Sequence, residues 1–211
     1  MGSAGSTFHL CFLAKVANSG VFIGSADNAH NPGTLQRLGI THIVNMTHDI
    51  PNLYRGGTEA TAGITYFTSG SANCRAELHD SIDETRMRSM LPRIVEFIQS
   101  AVKAGGRVLV HCRFGLSRAS TACLAWLVGG LGWRLEKACQ ELVARRQGVR
   151  PNATFFEDLL WYEKTVFDKN SMILRDWHRV FSRCYRDARA AQPSRGRFAA
   201  QPAGRHSHVN L

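Results

Sequence analysis

Short apolar runs rich in β-branched and aromatic residues occur at 21–23, 42–46, 64–67 and 107–111, each bounded by Gly, Asn, Thr or Ser. They predict the strands of one sheet. Between and after them the apolar spacing changes to that of helices, at 34–38, 92–104, 118–128, 135–146 and 155–167. Leu135, Ala138, Cys139, Leu142 and Val143 fall at i, i+3, i+4, i+7 and i+8, one buried stripe. Pro92 suits a first helical turn and predicts that the 92–104 helix begins there. Thr154 with Glu157 reads as a capping box, which starts the next helix just after the Pro151-Asn152 turn.

Strand and helix are mixed at first and helix dominates later. This order predicts an α/β domain over residues 8–168, a single central mixed sheet flanked by helices on both faces. Residues 1–7 read as a flexible N-terminus. Over 169–189 the pattern predicts a basic amphipathic helix, with Ile173, Trp177, Val180, Phe181 and Cys184 on one face and Arg175, Arg179, Arg183 and Arg186 largely on another. From 190 to 211 the chain is rich in Ala, Gln, Pro, Gly and Arg and predicts a disordered basic tail.

Composition sharpens this picture in three places. With 211 residues and 44% hydrophobic, the chain can bury one core. No apolar run approaches the roughly 18 residues that cross a membrane, and the opening residues carry no secretory signal pattern. Six cysteines (11, 74, 112, 123, 139 and 184) form no Cys-x-x-Cys pair and read as reduced thiols of a cytoplasmic protein, with no metal site. His206 and His208 alone do not make one. The net charge is +10, and residues 175–211, with eight arginines against Asp176 and Asp187, hold more than half of it. The remaining mild positive bias suits a phosphorylated substrate.

Chemistry concentrates in residues 107–120, RVLVHCRFGLSRAS, where an apolar strand runs into Cys112 and a helix-forming run leaves from Arg118. A strand-loop-helix turn with a glycine turns successive backbone N–H groups inward, and the helix N-terminus adds its positive end. Such a loop, here Arg113, Phe114, Gly115, Leu116, Ser117 and Arg118, binds a tetrahedral oxyanion. A cysteine at its start feels the same field, which favours thiolate over thiol. Arg118 supplies a planar fork matched to two phosphate oxygens, and Ser117 can donate a hydrogen bond to the sulfur. Together they read as a phosphoryl-transfer site that uses a covalent cysteinyl-phosphate.

These residues resemble the cysteine-based protein phosphatases, specifically the small, atypical dual-specificity phosphatases. His111, Cys112, Gly115, Ser117 and Arg118 match that family's signature of His-Cys, five residues including Gly and Ser, then Arg. Residues 21–47 and 150–164 resemble further family segments, and the likeness covers about 10–168. It implies His111 as part of the catalytic set and an aspartate some thirty residues before the cysteine as general acid. Asp80, 32 positions before Cys112, is favoured over Asp83 on spacing, and Ser81 with Glu84 forms an N-cap signature that leaves Asp80 just outside the following helix.

The resemblance implies hydrolysis of phosphotyrosine and phosphoserine/threonine in proteins, with no cofactor. Its alternatives are a phosphoinositide or RNA phosphatase and a phosphate-binding pseudophosphatase. Lipid-directed relatives tend to carry lysines in the loop, where this chain has Arg113, Phe114 and Leu116; intact Cys112 and Arg118 and a candidate Asp80 weigh against a pseudophosphatase. A redox-sensing thiol would need a second cysteine beside Cys112, for which Cys74 and Cys123 are the candidates. A phosphorylated protein is the expected partner and nucleic acid is not. An anionic membrane surface is a second candidate partner, because M-G-S-A-G-S fits a myristoylation pattern at Gly2 and one acyl chain needs a second, basic signal.

Overall fold

The computed structural model describes residues 13–55, 63–67 and 84–181. Five strands form one sheet in the order β1-β2-β5-β3-β4. They are β1 (Ala14–Val16), β2 (Val21–Gly24), β3 (His42–Asn45), β4 (Thr65–Tyr66) and β5 (Val108–His111). β1 runs antiparallel to β2, and the other neighbours are parallel. The helices are α1 (Ala26–His30), α2 (Pro32–Leu38), α3 (Glu84–Lys103), α4 (Arg118–Gly129), α5 (Leu135–Arg145) and α6 (Ala153–Phe167).

The central strand explains why its sequence is an unbroken apolar run. Leu109 of β5 packs with Phe22, Ile43 and Tyr66 beneath Ala29 and Leu35 of α1 and α2. Val108 and Val110 face the other way, with Val21, Ile23 and Val44, into the larger core built from α3 to α6. A strand buried on both faces needs apolar residues at every position. The α/β architecture expected from sequence, helices on both faces of a mixed sheet, is therefore the one observed. α4 is buried from Ala119 to Val128 and packs against α3, α5 and α6.

Several element boundaries differ from expectation. α3 starts at Glu84, and Pro92 lies inside it. Met87, Met90, Leu91, Ile94, Val95, Ile98 and Ala101 form one continuous buried stripe that runs straight past the proline. Burial of the two methionines and Leu91 outweighs the roughly 3 kcal/mol that an interior proline costs. The cap of α6 is Asn152, whose side chain accepts the N–H of Phe155 at 2.7 Å; Thr154 lies two residues later, already inside the helix. α2 begins at Pro32 behind an Asn31 cap. β1 and α1, of three and five residues, are too short for periodicity to reveal.

After α6 the chain reverses at Asp168. Residues 169–175, expected to begin an amphipathic helix, are non-helical, and helix occupies 176–181. Met172, Trp177 and Phe181 are buried, whereas Ile173 is exposed. The Trp177 indole Nε1–H donates to the Pro151 carbonyl at 2.8 Å, and Phe181 meets Phe156 edge-on. Buried Glu163 clasps this return: it accepts from the N–H of Leu135 (2.9 Å), the N–H of Ser171 (2.8 Å) and the Ser171 hydroxyl (2.7 Å), and pairs with Arg134. Among the described residues no helix is long and apolar enough to cross a membrane.

Candidate active site

β5 lies between the parallel strands β2 and β3, with Gly24 and Asn45 flanking His111 at their carboxyl ends. That edge is where open α/β sheets present their ligands. Cys112 follows directly, buried, and residues 113–117 form a loop that delivers Arg118 to the first position of α4.

The hydrogen bonds of this loop define its chemistry. Each of its five carbonyls is held from outside. The Arg113 carbonyl accepts from the N–H of Ala26, and that of Phe114 from Arg146 Nη2 at 3.0 Å. Gly115 accepts from Arg146 Nε at 3.1 Å, Leu116 from the N–H of Arg150 at 2.8 Å, and Ser117 from the N–H of Thr121. No cis peptide occurs among the described residues. Across a trans peptide the next N–H points opposite to the carbonyl. The N–H groups of residues 114–118 are therefore turned the other way, into one concavity, and that of Gly115 donates to Cys112 Sγ at 3.2 Å. At the end of the loop Ser117 makes no side-chain cap on α4, so its hydroxyl does not compete with an anion for the positive end of the helix.

Gly115 is required twice. Its φ is +71°, and a Cβ there would lie 2.3 Å from the Gly24 carbonyl oxygen and 2.7 Å from Arg146 Nη2. Arg118 is buried at the head of α4. Phe114 is 64% exposed, at the rim. Ser117, expected to donate to the sulfur, has its Oγ accepting the N–H of Asn152 at 3.2 Å, which ties the loop to the turn before α6. The donor that the structure places on the sulfur is Gly115.

His111 is buried, and its pKa falls from 6.5 to about 3, first by desolvation and then by the charge of His30, against a smaller opposing hydrogen bond with the Cys112 backbone. The imidazole is neutral at physiological pH. Asp49 forms an ion pair with Arg113 of the loop. Desolvation pushes its carboxyl up, but the Arg113 hydrogen bond and charge outweigh this and hold it below the usual carboxylate range. Asp49 is thus a carboxylate at neutral pH and unsuited to donate a proton. Its loop is organised by buried Asn45, which donates to the Ile50 carbonyl and accepts from Thr47.

Cys123 lies wholly buried in α4, where desolvation pushes its thiol up. Cys74, Asp80 and Asp83 lie outside the described residues. Arg146, Asn45 and Asp49 were missed from sequence. Arg146 follows the stripe of α5 and looks like an ordinary helix-end cation; nothing in its spacing signals a loop 31 residues earlier.

With this geometry in place, comparison with known proteins is specific. The family model described as dual specificity phosphatase, catalytic domain, matches residues 21–165. Mouse dual specificity protein phosphatase 26 is 36% identical over 157 residues, 74% of this chain and 70% of its own length. Human dual specificity protein phosphatase 1 is 32% identical over 146 residues, 69% of this chain and 36% of its own. Among solved structures, human DUSP28 matches with a TM-score of 0.61 and 30% identity, covering 72% of this chain and 93% of that one. The chain belongs to the dual-specificity phosphatase family. It spans about a third of the length of the phosphatase 1 relatives.

Proposed function

We propose that the chain is a protein phosphatase that hydrolyses phosphotyrosine and phosphoserine/threonine through a cysteinyl-phosphate. The observation that carries the reading is the loop in which all five carbonyls accept hydrogen bonds while the N–H of Gly115 donates to Cys112 Sγ. Cys112 Sγ attacks phosphorus as the bond to the leaving oxygen breaks. Arg118 and the loop N–H groups hold the equatorial oxygens. Asp80, favoured over Asp83, gives its proton to the leaving oxygen and then takes one from the water that attacks phosphorus, so that the P–S bond breaks and the thiolate returns. Arg113, Phe114, Gly115, Leu116 and Ser117 form the cradle, and His111 positions its start.

The deciding experiment is hydrolysis of an aryl phosphate by the purified chain, expected to be sensitive to vanadate and resistant to EDTA. Cys112→Ser is expected to abolish turnover; activity within tenfold of wild type would reject Cys112 as nucleophile. Asp80→Asn is expected to lower turnover by roughly 10² to 10⁴, most for poor leaving groups. The same leaving-group dependence in Asp83→Asn alone would move the acid by three residues.

A second reading concerns where the enzyme works. The Gly2 pattern supports myristoylation, and the arginines after Arg175 supply a basic signal toward anionic lipid. Burial of Trp177 and Phe181 removes the apolar face once expected to add to it. Equal soluble fractions of wild type and Gly2→Ala in cells would eliminate the membrane.

A further inference from the structure

General acid catalysis requires the acid to keep a fixed distance from the nucleophile. The candidates Asp80 and Asp83 belong to the stretch 68–83, and the described residues at both of its ends belong to or rest on α3. At one end Phe67 meets Phe97 of α3 edge-on with ring centroids 5.5 Å apart, and Arg93 of α3 lies over the Phe67 ring at 6.0 Å. At the other end α3 itself begins, at Glu84, the residue that follows Asp83.

The start of α3 is held less firmly by its own helix than by its neighbour. Pro92 has no N–H to return to the Arg88 carbonyl, and its ring crowds that carbonyl. The apolar contacts of Met87, Met90 and Leu91 keep this part of α3 on the core, but such contacts are non-directional. At Arg88, where the helix loses its backbone bond, the side chain supplies a directional one. Its Nε donates to Asp158 Oδ1 of α6 at 2.9 Å, and its guanidinium lies 5.3 Å from the centroid of the Trp161 ring. The Asp158 side chain is 1% exposed and that of Arg88 45%. A carboxylate so buried holds its cation, because losing it leaves a charge that water cannot reach. α6 is in turn fixed to the phosphate loop: the N–H of its cap Asn152 donates to Ser117 Oγ at 3.2 Å. From Asn152 to Asp158 is about 9 Å of helix.

We infer that Arg88 and Asp158 are positioning residues for the general acid. They tie the start of α3 to α6, and through Asn152 to the phosphate loop, so that the carboxyl carried ahead of Glu84 is referenced to Cys112. The inference rests on the proposed acid, Asp80 or Asp83, and adds the groups that hold it in register.

The test is turnover by the full chain carrying Arg88→Gln, a change at a side chain exposed enough to leave the core closed, on aryl phosphates of graded leaving-group acidity. An ester of a strongly acidic phenol leaves with little help, so its kcat is expected to change by less than about threefold, whereas that of phenyl phosphate is expected to fall about tenfold. Asp158→Asn is expected to give the same split. Added to Asp80→Asn, or to Asp83→Asn where that variant shows the leaving-group dependence, Arg88→Gln is expected to cost less than about twofold more on phenyl phosphate, because an absent acid cannot be misplaced. Equal losses on all esters in Arg88→Gln overturn the inference, as does a further tenfold loss in the double variant; either makes the ion pair a structural contact only. Leaving-group dependence missing from both Asp80→Asn and Asp83→Asn would instead overturn the acid assignment, and the positioning role with it.

Discussion

Arg146 makes the site at residue scale without touching substrate. Two of its guanidinium nitrogens hold two consecutive carbonyls, those of Phe114 and Gly115, and it is buried while doing so. Arg146→Ala should lower kcat/KM by about 10², because each charged hydrogen bond contributes roughly 1.5 to 3 kcal/mol. It should weaken vanadate inhibition in parallel, which a general loss of folded protein would not do. Arg146→Lys should rescue little, since an ammonium lacks the fork that spans both carbonyls.

His111 gives a pH signature. Its folded pKa of about 3 lies below the unfolded value of 6.5. Between these values the unfolded chain binds more protons, so this group's contribution to stability rises with pH at about 1.4 kcal/mol per unit and is lost as pH falls from 6.5 toward 3. Urea midpoints measured from pH 4 to 7 should climb less steeply in His111→Asn than in wild type. Equal slopes would show that another group carries the dependence.

At the scale of elements, the sequence revealed what is local. The 107–120 segment was legible because strand, glycine, arginine and helix follow one another within fourteen residues. Pro92 misled because the rule for helix starts weighs one residue, while the stripe from Met87 to Ala101 weighs seven. The exposed ring now stands as a cost retained inside α3. Pro92→Ala should stabilise the protein by about 1 to 2 kcal/mol, the helical gain less the entropy returned to the unfolded chain. A lowered denaturant midpoint would show that α3 depends on its proline. Arg146 remained hidden for the opposite reason: its partners are set by the packing of α5 on α4, which no single window of sequence contains.

The molecule as a whole extends past the family's limits. Met172, Trp177 and Phe181 are buried, and Glu163 binds the returning chain at Ser171. Truncation after Asp168 uncovers Phe156 and removes one wall of a cavity beside the loop. On burial of these three side chains it should cost on the order of 5 kcal/mol, read as a lower urea midpoint. An unchanged midpoint would make the segment an appendage. The sequence showed its amphipathic character, but what covers the apolar face depends on α6 lying alongside, and that is a property of the assembled domain.

The long-range tethers of the phosphate loop come from Ala26, Arg146 and Arg150, stretches of chain that are far apart. During synthesis Cys112 and Arg118 leave the ribosome well before α5 and the turn at Asn152 exist to restrain them. Under the proposed mechanism Cys112 has no cradle until then, and the nascent chain is expected to be inert toward phosphate esters. Because the braces span long sequence separations, the cradle closes late, with the final packing of the domain. The proposed activity would therefore report completed folding, and a fragment ending between residues 119 and 145 should carry the whole signature and none of its chemistry.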